Sequence, residues 1–258
     1  MGFIFSISLG SFYSTLYERI LYYIYGKGRK LKNKNIWSII LLEPSKCRAC
    51  NTRIDSVYLT PVLGGILTGG KCNYCKVSFG YTFVLIEFLF GLFFVITLYQ
   101  TKNILYSIVF IFLLGHILIS MFTDLNKYIL DYENLVFILS LGFLLEYILN
   151  GKLPDGNNLK TGLGFFIVFF LIYFFYPKGM GLGDIFFISA YASILSHPLW
   201  IFFLNTSYVL ALIFSFFHSK KAGKISKTKI PMGFYYGIGI ILTLFFKIFF
   251  TLELQSDI

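Results

Sequence analysis

Apolar runs of the length that crosses a membrane recur along almost the whole chain and leave little room for any other fold. The hydrocarbon core of a bilayer is about 30 Å thick and needs roughly 20 apolar residues in a helix. Of the 258 residues, 57% are hydrophobic and only 13% are charged, which excludes an ordinary soluble domain. We therefore expect an all-α polytopic membrane protein with about eight transmembrane helices. The predicted spans lie near residues 3–24, 81–99, 103–122, 134–149, 160–176, 184–197, 199–217 and 232–251.

The positions of the basic residues predict how this bundle is oriented. The net charge of +10 fits nucleic acid, anionic lipid or the retention of loops in the cytoplasm. With eight spans, one side of the membrane holds ten basic residues between Lys27 and Lys76, five between Lys220 and Lys229, and Lys127 and Lys178, against only Lys102, Lys152 and Lys160 opposite. By the positive-inside rule, the basic side is cytoplasmic and both termini lie outside. The charge then requires no nucleic acid partner, and membrane lipid is the expected surrounding.

Four cysteines lie in the long hydrophilic stretch after the first span, as two C-x2-C pairs: Cys47 with Cys50, and Cys72 with Cys75. Two such pairs can fill the tetrahedral coordination of zinc. The alternatives are a redox pair or four unrelated thiols, but stable disulfides are rare in the cytoplasm. We expect a small zinc-ribbon-like loop domain in which the zinc is structural, because four sulfur ligands leave no open position for catalysis.

Two aspartates are expected at the same cytoplasmic face. Asp124 closes the third span, and Asp184 opens the sixth directly after Gly181-Leu182-Gly183. Two carboxylates that meet in a partly desolvated site cannot easily both ionise, so they can supply one base and one acid. The glycines would allow a substrate strand to come close. The alternative roles are the N-cap of a helix for Asp184 and an ordinary charged flank for Asp124.

Together these motifs resemble the type IV prepilin peptidases, which are polytopic aspartic proteases with a Gly-x-Gly-Asp motif. The resemblance covers nearly the whole chain. It rests on Gly10-Ser11-Phe12 with Arg19, both cysteine pairs, Glu87, the segment from Asp124 to Asp131, Gly181-Leu182-Gly183-Asp184, and Pro231-Met232-Gly233. The chain departs from the family at Leu130, where Pro is usual, at Phe186, where Lys is usual, and at Thr82, where Pro is common.

The resemblance implies that Asp124 and Asp184 are the catalytic dyad, with Gly181 and Gly183 as motif residues. The substrates would be type IV pilin-like or pseudopilin precursors, whose basic leader is cut at the cytoplasmic face of the bacterial inner membrane. The products would serve a type IV pilus or protein secretion. Many members with the long cysteine loop also N-methylate the new N-terminus with S-adenosylmethionine, and here that methyltransferase activity is implied by resemblance alone.

Two other function classes stay open at this point: a non-enzymatic zinc-loop membrane scaffold or assembly factor, and a transferase in which the aspartates are structural. Glu87 is expected to line the substrate path, to support the dyad, or to act in packing. Asp131 is expected either near the basic leader or as a helix-start residue. The sequence gives no indication of the oligomeric state.

We expect three parts in the chain: a first transmembrane helix over 1–25, a cysteine-bearing loop domain over 26–80, and a transmembrane aspartic peptidase domain over 81–258. Further predictions concern single charged residues. Glu146 and Lys247 are expected to snorkel toward the outer interface. Glu18 and Arg19 are expected to be partners at the inner interface, and His116 to be a hydrogen-bonded histidine within the bundle.

Overall fold

The computed structural model describes residues 1–26, 36–152, 154–195, 197–222 and 229–256, and within these ranges it contains helices and no strands. The all-α prediction is therefore confirmed. Eight longer helices overlap the eight predicted spans, and two short ones, α2 and α3, lie in the cysteine-bearing stretch. The helices are α1 (Gly2–Tyr23), α2 (Ile36–Leu42), α3 (Leu63–Leu67), α4 (Thr82–Thr101), α5 (Ile104–Lys127), α6 (Tyr132–Asn150), α7 (Gly156–Phe175), α8 (Leu182–Leu195), α9 (Leu199–Ala222) and α10 (Met232–Ser256).

Six of the described helices are long and apolar enough to cross a membrane: α4, α5, α6, α7, α9 and α10. The chain is thus a polytopic membrane protein, while the count of eight spans stays a prediction. Helix α8 is apolar but has only 14 residues, which is about 21 Å of helix. Helix α1 has 22 residues, but Glu18 and Arg19 lie near its end.

Some of the basic residues on which the predicted orientation depends lie outside the described residues. The residues from Lys27 to Lys34, and Lys224 and Lys227 in the later basic loop, lie outside the described residues. The predicted orientation of the bundle therefore stays a prediction.

The chain divides into two compact units, Met1–Ile96 and Thr97–Ile258. In the first unit, α1 packs against α2, and Arg19 makes this contact specific. Its guanidinium donates to the carbonyls of Ile40 and Glu43 at 2.7 and 2.6 Å, where α2 ends and leaves carbonyls without helical partners. The prediction that Glu18 and Arg19 are partners is wrong, because Glu18 instead pairs with Arg48 at 2.9 Å.

In the second unit, α5 packs against α6 and α10, and α8 packs against α6, α7, α9 and α10. Two-thirds of the apolar stretch of α5 is buried but none of that of α7, so α5 is central and α7 faces outward. Small residues allow the close crossings: a Cβ at Gly237 would lie 2.2 Å from Met121 Cγ, and one at Gly239 would lie 2.0 Å from Ser207 Oγ.

Glu146 of α6 and Lys247 of α10 do not snorkel, and this prediction is wrong. Both side chains are about 10% exposed, and the Lys247 ammonium binds both oxygens of the Glu146 carboxylate. Asn150 donates a further hydrogen bond to Glu146 at 3.1 Å. Pairing inside the bundle satisfies both charges where each alone would be costly.

The prediction for His116 is confirmed. Its Nδ1 lies 2.6 Å from Oδ1 of buried Asn134, whose amide nitrogen donates to the His116 carbonyl at 2.7 Å and to Ser120 Oγ at 2.6 Å. These bonds fasten the start of α6 to α5 one turn before Asp124.

Candidate functional site

Asp124 lies three residues before the end of α5. The helix ends because Tyr128 adopts a left-handed conformation (φ 56°) and its N–H donates to the Asp124 carbonyl at 2.8 Å. The Asp124 side chain is 5% exposed, and its Oδ2 accepts a hydrogen bond from the backbone N–H of Phe234 at 3.3 Å. The start of α10, more than 100 residues later in the chain, therefore helps to fix this carboxylate.

Asp184 lies in the first turn of α8. Its Oδ2 accepts a hydrogen bond from the N–H of Gly181 at 3.0 Å, and its own N–H donates to the Gly181 carbonyl at 3.1 Å. This local pair is typical of a helix start, where backbone N–H groups lack helical partners. The Asp184 side chain is partly exposed, so water can reach it more easily than it reaches Asp124.

Within the second unit, the surroundings of the two aspartates meet at Leu130, which lies beside both Gly183, the residue before Asp184, and Gly233, which lies next to the Asp124 carboxylate. The glycines beside them show how tightly this end of the unit is packed. A Cβ at Gly233 would lie 3.0 Å from Asp124 Oδ2, and one at Gly181 would lie 3.2 Å from Asp184 Oδ2. Two interacting carboxyl groups in a partly buried site can share one proton. The pair can therefore offer one base and one acid to a reacting group.

Two tyrosines lie near the pair and were not predicted. Tyr236 lies two residues after Phe234, whose N–H binds Asp124, and Tyr208 is its neighbour on α9. Their hydroxyl oxygens are 3.3 Å apart, and Tyr236 is fully buried. No sequence signal could single them out, because the chain contains 19 tyrosines.

Asp131 occupies the N-cap of α6, where its Oδ1 accepts a hydrogen bond from the N–H of Glu133 at 3.1 Å. Asp and Asn are favoured at this position because the first N–H groups of a helix lack helical partners. Asp131 therefore has a local structural role within the second unit.

Glu87 belongs to the first unit, whereas both aspartates belong to the second. Its carboxylate accepts a hydrogen bond from the N–H of Val62 at 2.6 Å. Val62 precedes α3 and has a positive φ of 63°, a conformation that is unfavourable for a β-branched residue. The buried carboxylate of Glu87 thus holds a strained turn of the cysteine-bearing stretch.

The two cysteine pairs form two turns of the same design. After the first pair, the N–H of Cys47 donates to the Thr52 carbonyl, and Asn51 has a φ of 56°. After the second pair, the N–H of Cys72 donates to the Val77 carbonyl, and Lys76 has a φ of 59°. The sequence shows little of this structural repeat, because only the cysteines, their spacing and the lysine before each pair (Lys46 and Lys71) recur.

The four thiols fit a tetrahedral metal ion. All four Sγ atoms lie within 4.8 Å of one another, with Cys47 and Cys75 at 3.7 Å and Cys50 and Cys72 at 4.0 Å. Four sulfurs at about 2.3 Å from zinc would be separated by about 3.8 Å. Cysteine binds metal as the thiolate. These cysteines could hold a metal ion such as zinc.

A cavity of about 490 Å³ also lies in the first unit. Its lining combines carboxylates, basic side chains and aromatic rings, including Glu18, Glu87, Arg48, Lys71 and Tyr58. Cavities of 300–1,000 Å³ are typical of small-molecule sites. The unit therefore has a space for a ligand that is separate from the aspartate pair.

Two family models match the chain. Residues 4–101 match the bacterial Peptidase A24 N-terminal domain, and residues 110–216 match the type IV leader peptidase family. The first match includes all four cysteines and Glu87, and the second includes both Asp124 and Asp184. Comparison with curated proteins and with solved structures gave no match.

Proposed function

Because the chain belongs to the type IV leader peptidase family, we propose that it is an aspartic endopeptidase in which Asp124 and Asp184 form the catalytic dyad. One observation carries this proposal: two aspartates 60 residues apart in the sequence have surroundings that meet at Leu130, which lies beside Gly183, next to Asp184, and beside Gly233, next to the Asp124 carboxylate. The substrates are prepilin-like precursors, including pseudopilins, whose basic leader is removed.

The proposed reaction uses one ionised and one protonated carboxyl group. The ionised carboxylate takes a proton from water as the water oxygen attacks the scissile carbonyl carbon. The protonated carboxyl group donates its proton to the carbonyl oxygen, which gives a tetrahedral diol. As the diol collapses, the C–N bond breaks, the protonated carboxyl group gives its proton to the leaving nitrogen, and the other carboxylate takes the proton of a diol hydroxyl. The dyad therefore ends with one proton, as it began.

The depth of the dyad suits a precursor that has a polar leader followed by an apolar helix. Asp124 lies three residues, or about 4.5 Å, from the end of α5. In a transmembrane helix, this is close to the interface between lipid and water. We propose that this interface is the cytoplasmic face of the inner membrane, with both chain termini outside. Reporter fusions near Lys102 and Lys160 test this orientation, and a cytoplasmic signal there would contradict it.

The decisive experiment reconstitutes the full chain in lipid with a pilin-like precursor and measures cleavage by the Asp124→Asn and Asp184→Asn variants. Loss of general acid–base catalysis should lower the rate by about 100- to 10,000-fold. Asp155→Asn is a matched control, because Asp155 is the exposed N-cap of α7 and Asn caps helices equally well. A normal rate in either dyad variant would refute the aspartic mechanism and favour a scaffold or a transferase with structural aspartates.

We propose that the cysteine cluster holds one structural zinc ion that folds the loop domain over 26–80, between the first helix and the peptidase domain. Metal analysis of the purified protein should find roughly one zinc per chain, because four thiolates complete its coordination. The metal should be lost in Cys47→Ser. Metal-free protein prepared without chelators, with all four thiols intact, would contradict this proposal and would leave the dyad proposal unaffected.

The family resemblance also implies N-methylation of the new N-terminus with S-adenosylmethionine, and the cavity in the first unit offers a place to test it. Its carboxylates and aromatic rings suit a ligand that carries a sulfonium cation and an adenine ring. Calorimetry should detect S-adenosylmethionine binding to wild type and weaker binding to Glu18→Gln. Mass spectrometry of the cleaved precursor then separates the activities, since an unmethylated product means peptidase alone.

A further inference from the structure

Leu130 lies between the end of α5 and the start of α6, and it is much less exposed than the residue before it. Ile129 is 38% exposed, whereas Leu130 is only 8% exposed. An apolar side chain that turns inward from so short a loop must fill a space in the packing. In the second unit, this space lies beside the two aspartates.

On one side, Leu130 fills the space next to Gly183, the residue before Asp184. A Cβ added at Gly183 would lie 3.1 Å from Leu130 Cβ, with Leu130 Cδ1 and Cγ at 3.6 and 3.8 Å. All three of its nearest contacts would be atoms of Leu130. The backbone that leads into Asp184 therefore rests against this side chain.

On the other side, Leu130 reaches Gly233 at the start of α10. A Cβ there would lie 2.5 Å from Leu130 Cδ2 and 3.0 Å from Asp124 Oδ2. The next residue, Phe234, donates its N–H to Asp124. One side chain thus contacts both the segment before one aspartate and the segment that binds the other.

The loop that carries Leu130 is also fixed at the start of α6. Asp131 caps α6, and the hydrogen bonds of Asn134 to His116 and Ser120 fasten the start of α6 to α5. The short loop therefore has little freedom to shift when its neighbours move.

We propose that Leu130 is a positioning residue that sets the separation of the Asp124 and Asp184 carboxyl groups. This inference rests on the proposed function of the dyad. Leu130 touches no reacting atom in this role; it keeps the Gly183 and Gly233 segments apart by the width of one leucine side chain.

The test compares Leu130→Ala with Leu130→Met in lipid, using a synthetic pilin-like precursor. Truncation leaves a space into which both segments can move, and misplacement by about 1 Å lowers kcat by about 10- to 100-fold. KM should change less than threefold. The pH range of activity should also change, because the interaction between two carboxyl groups depends on their separation. Leu130→Met, which keeps the volume, should retain most of the activity and the wild-type pH range.

Leu113→Ala is the matched control, because Leu113 is a fully buried leucine of α5 that lies 11 residues, or about 16 Å, before Asp124. If Leu130→Ala has the kcat and pH range of this control, the inference is wrong. If Leu130→Ala does not fold, Leu130→Val replaces it, and a wild-type kcat there overturns the inference equally. Active Asp124→Asn or Asp184→Asn would instead refute the proposed function, so the two failures are distinguishable.

Discussion

The buried ion pair between Glu146 and Lys247 gives a quantitative prediction about stability. Both side chains are about 10% exposed and face each other across α6 and α10. Replacing Glu146 by Leu leaves the Lys247 ammonium inside the bundle without the Glu146 carboxylate. Replacing Lys247 by Met leaves the carboxylate there without its ammonium partner.

The expected magnitudes follow from burial. Removing one member of a buried pair costs about 3 to 5 kcal/mol, because the other charge loses its compensation. Replacing both members by apolar groups of similar size is often neutral or stabilising. The bond from Asn150 to Glu146 is lost as well, but Asn150 is exposed and water can replace that bond. The double variant should therefore be at least about 3 kcal/mol more stable than either single variant.

The assay is reversible unfolding of the purified chain in mixed micelles, followed by circular dichroism. Lys160→Met serves as the control, because it removes a lysine that is exposed at the start of α7 and should change stability by less than about 0.5 kcal/mol. The reasoning is refuted if either single variant matches this control. It is also refuted if the losses of the two single variants simply add in the double variant.

Three further predictions concern local packing. Glu87→Ala should lower the unfolding temperature, because the N–H of Val62 loses its partner in a strained turn; an unchanged melting curve would contradict this. Tyr191→Phe should leave the free energy of unfolding unchanged or higher, since the buried Tyr191 hydroxyl has no hydrogen-bond partner among the described residues; a loss above about 1 kcal/mol would show that a partner exists. Gly239→Ala should destabilise the chain by about 1 to 3 kcal/mol through its contact with Ser207, and Ser207→Ala should relieve part of that loss in the double variant.

The positions of the helices were predictable because the apolar runs are long and interrupted by polar loops. Each predicted span overlaps a helix. The same runs predicted that Asp124 lies near the end of one helix and Asp184 near the start of another. The cysteine cluster was predictable because the metal ligands and their spacing are visible in the sequence itself.

The pairings within the bundle were not predictable. Glu146 and Lys247 are 101 residues apart, and each alone near a helix end favours snorkelling. Only the fold of the second unit, in which α6 and α10 both pack against α5 and α8, shows that these two residues pair. Leu130 was visible only as a departure from a family pattern, because one leucine among many apolar residues carries no signal of what it touches.

The positions of the charged residues in the second unit support the proposal that the reaction takes place near the membrane interface. Phe234, which binds Asp124, and Lys247 lie on the same helix, separated by 13 residues or about 20 Å. Near the far end, the Lys247 ammonium and the Glu146 carboxylate bind each other inside the bundle. At the near end, the backbone N–H groups of Gly181 and Phe234 donate to the two aspartates, and Asp184 is partly exposed. A site for hydrolysis needs carboxyl groups that can exchange protons and reach water. Among the described residues, the near end fits both needs better than the far end. This contrast supports the proposal that hydrolysis takes place at the near end, where the polar leader of a precursor would meet its apolar helix.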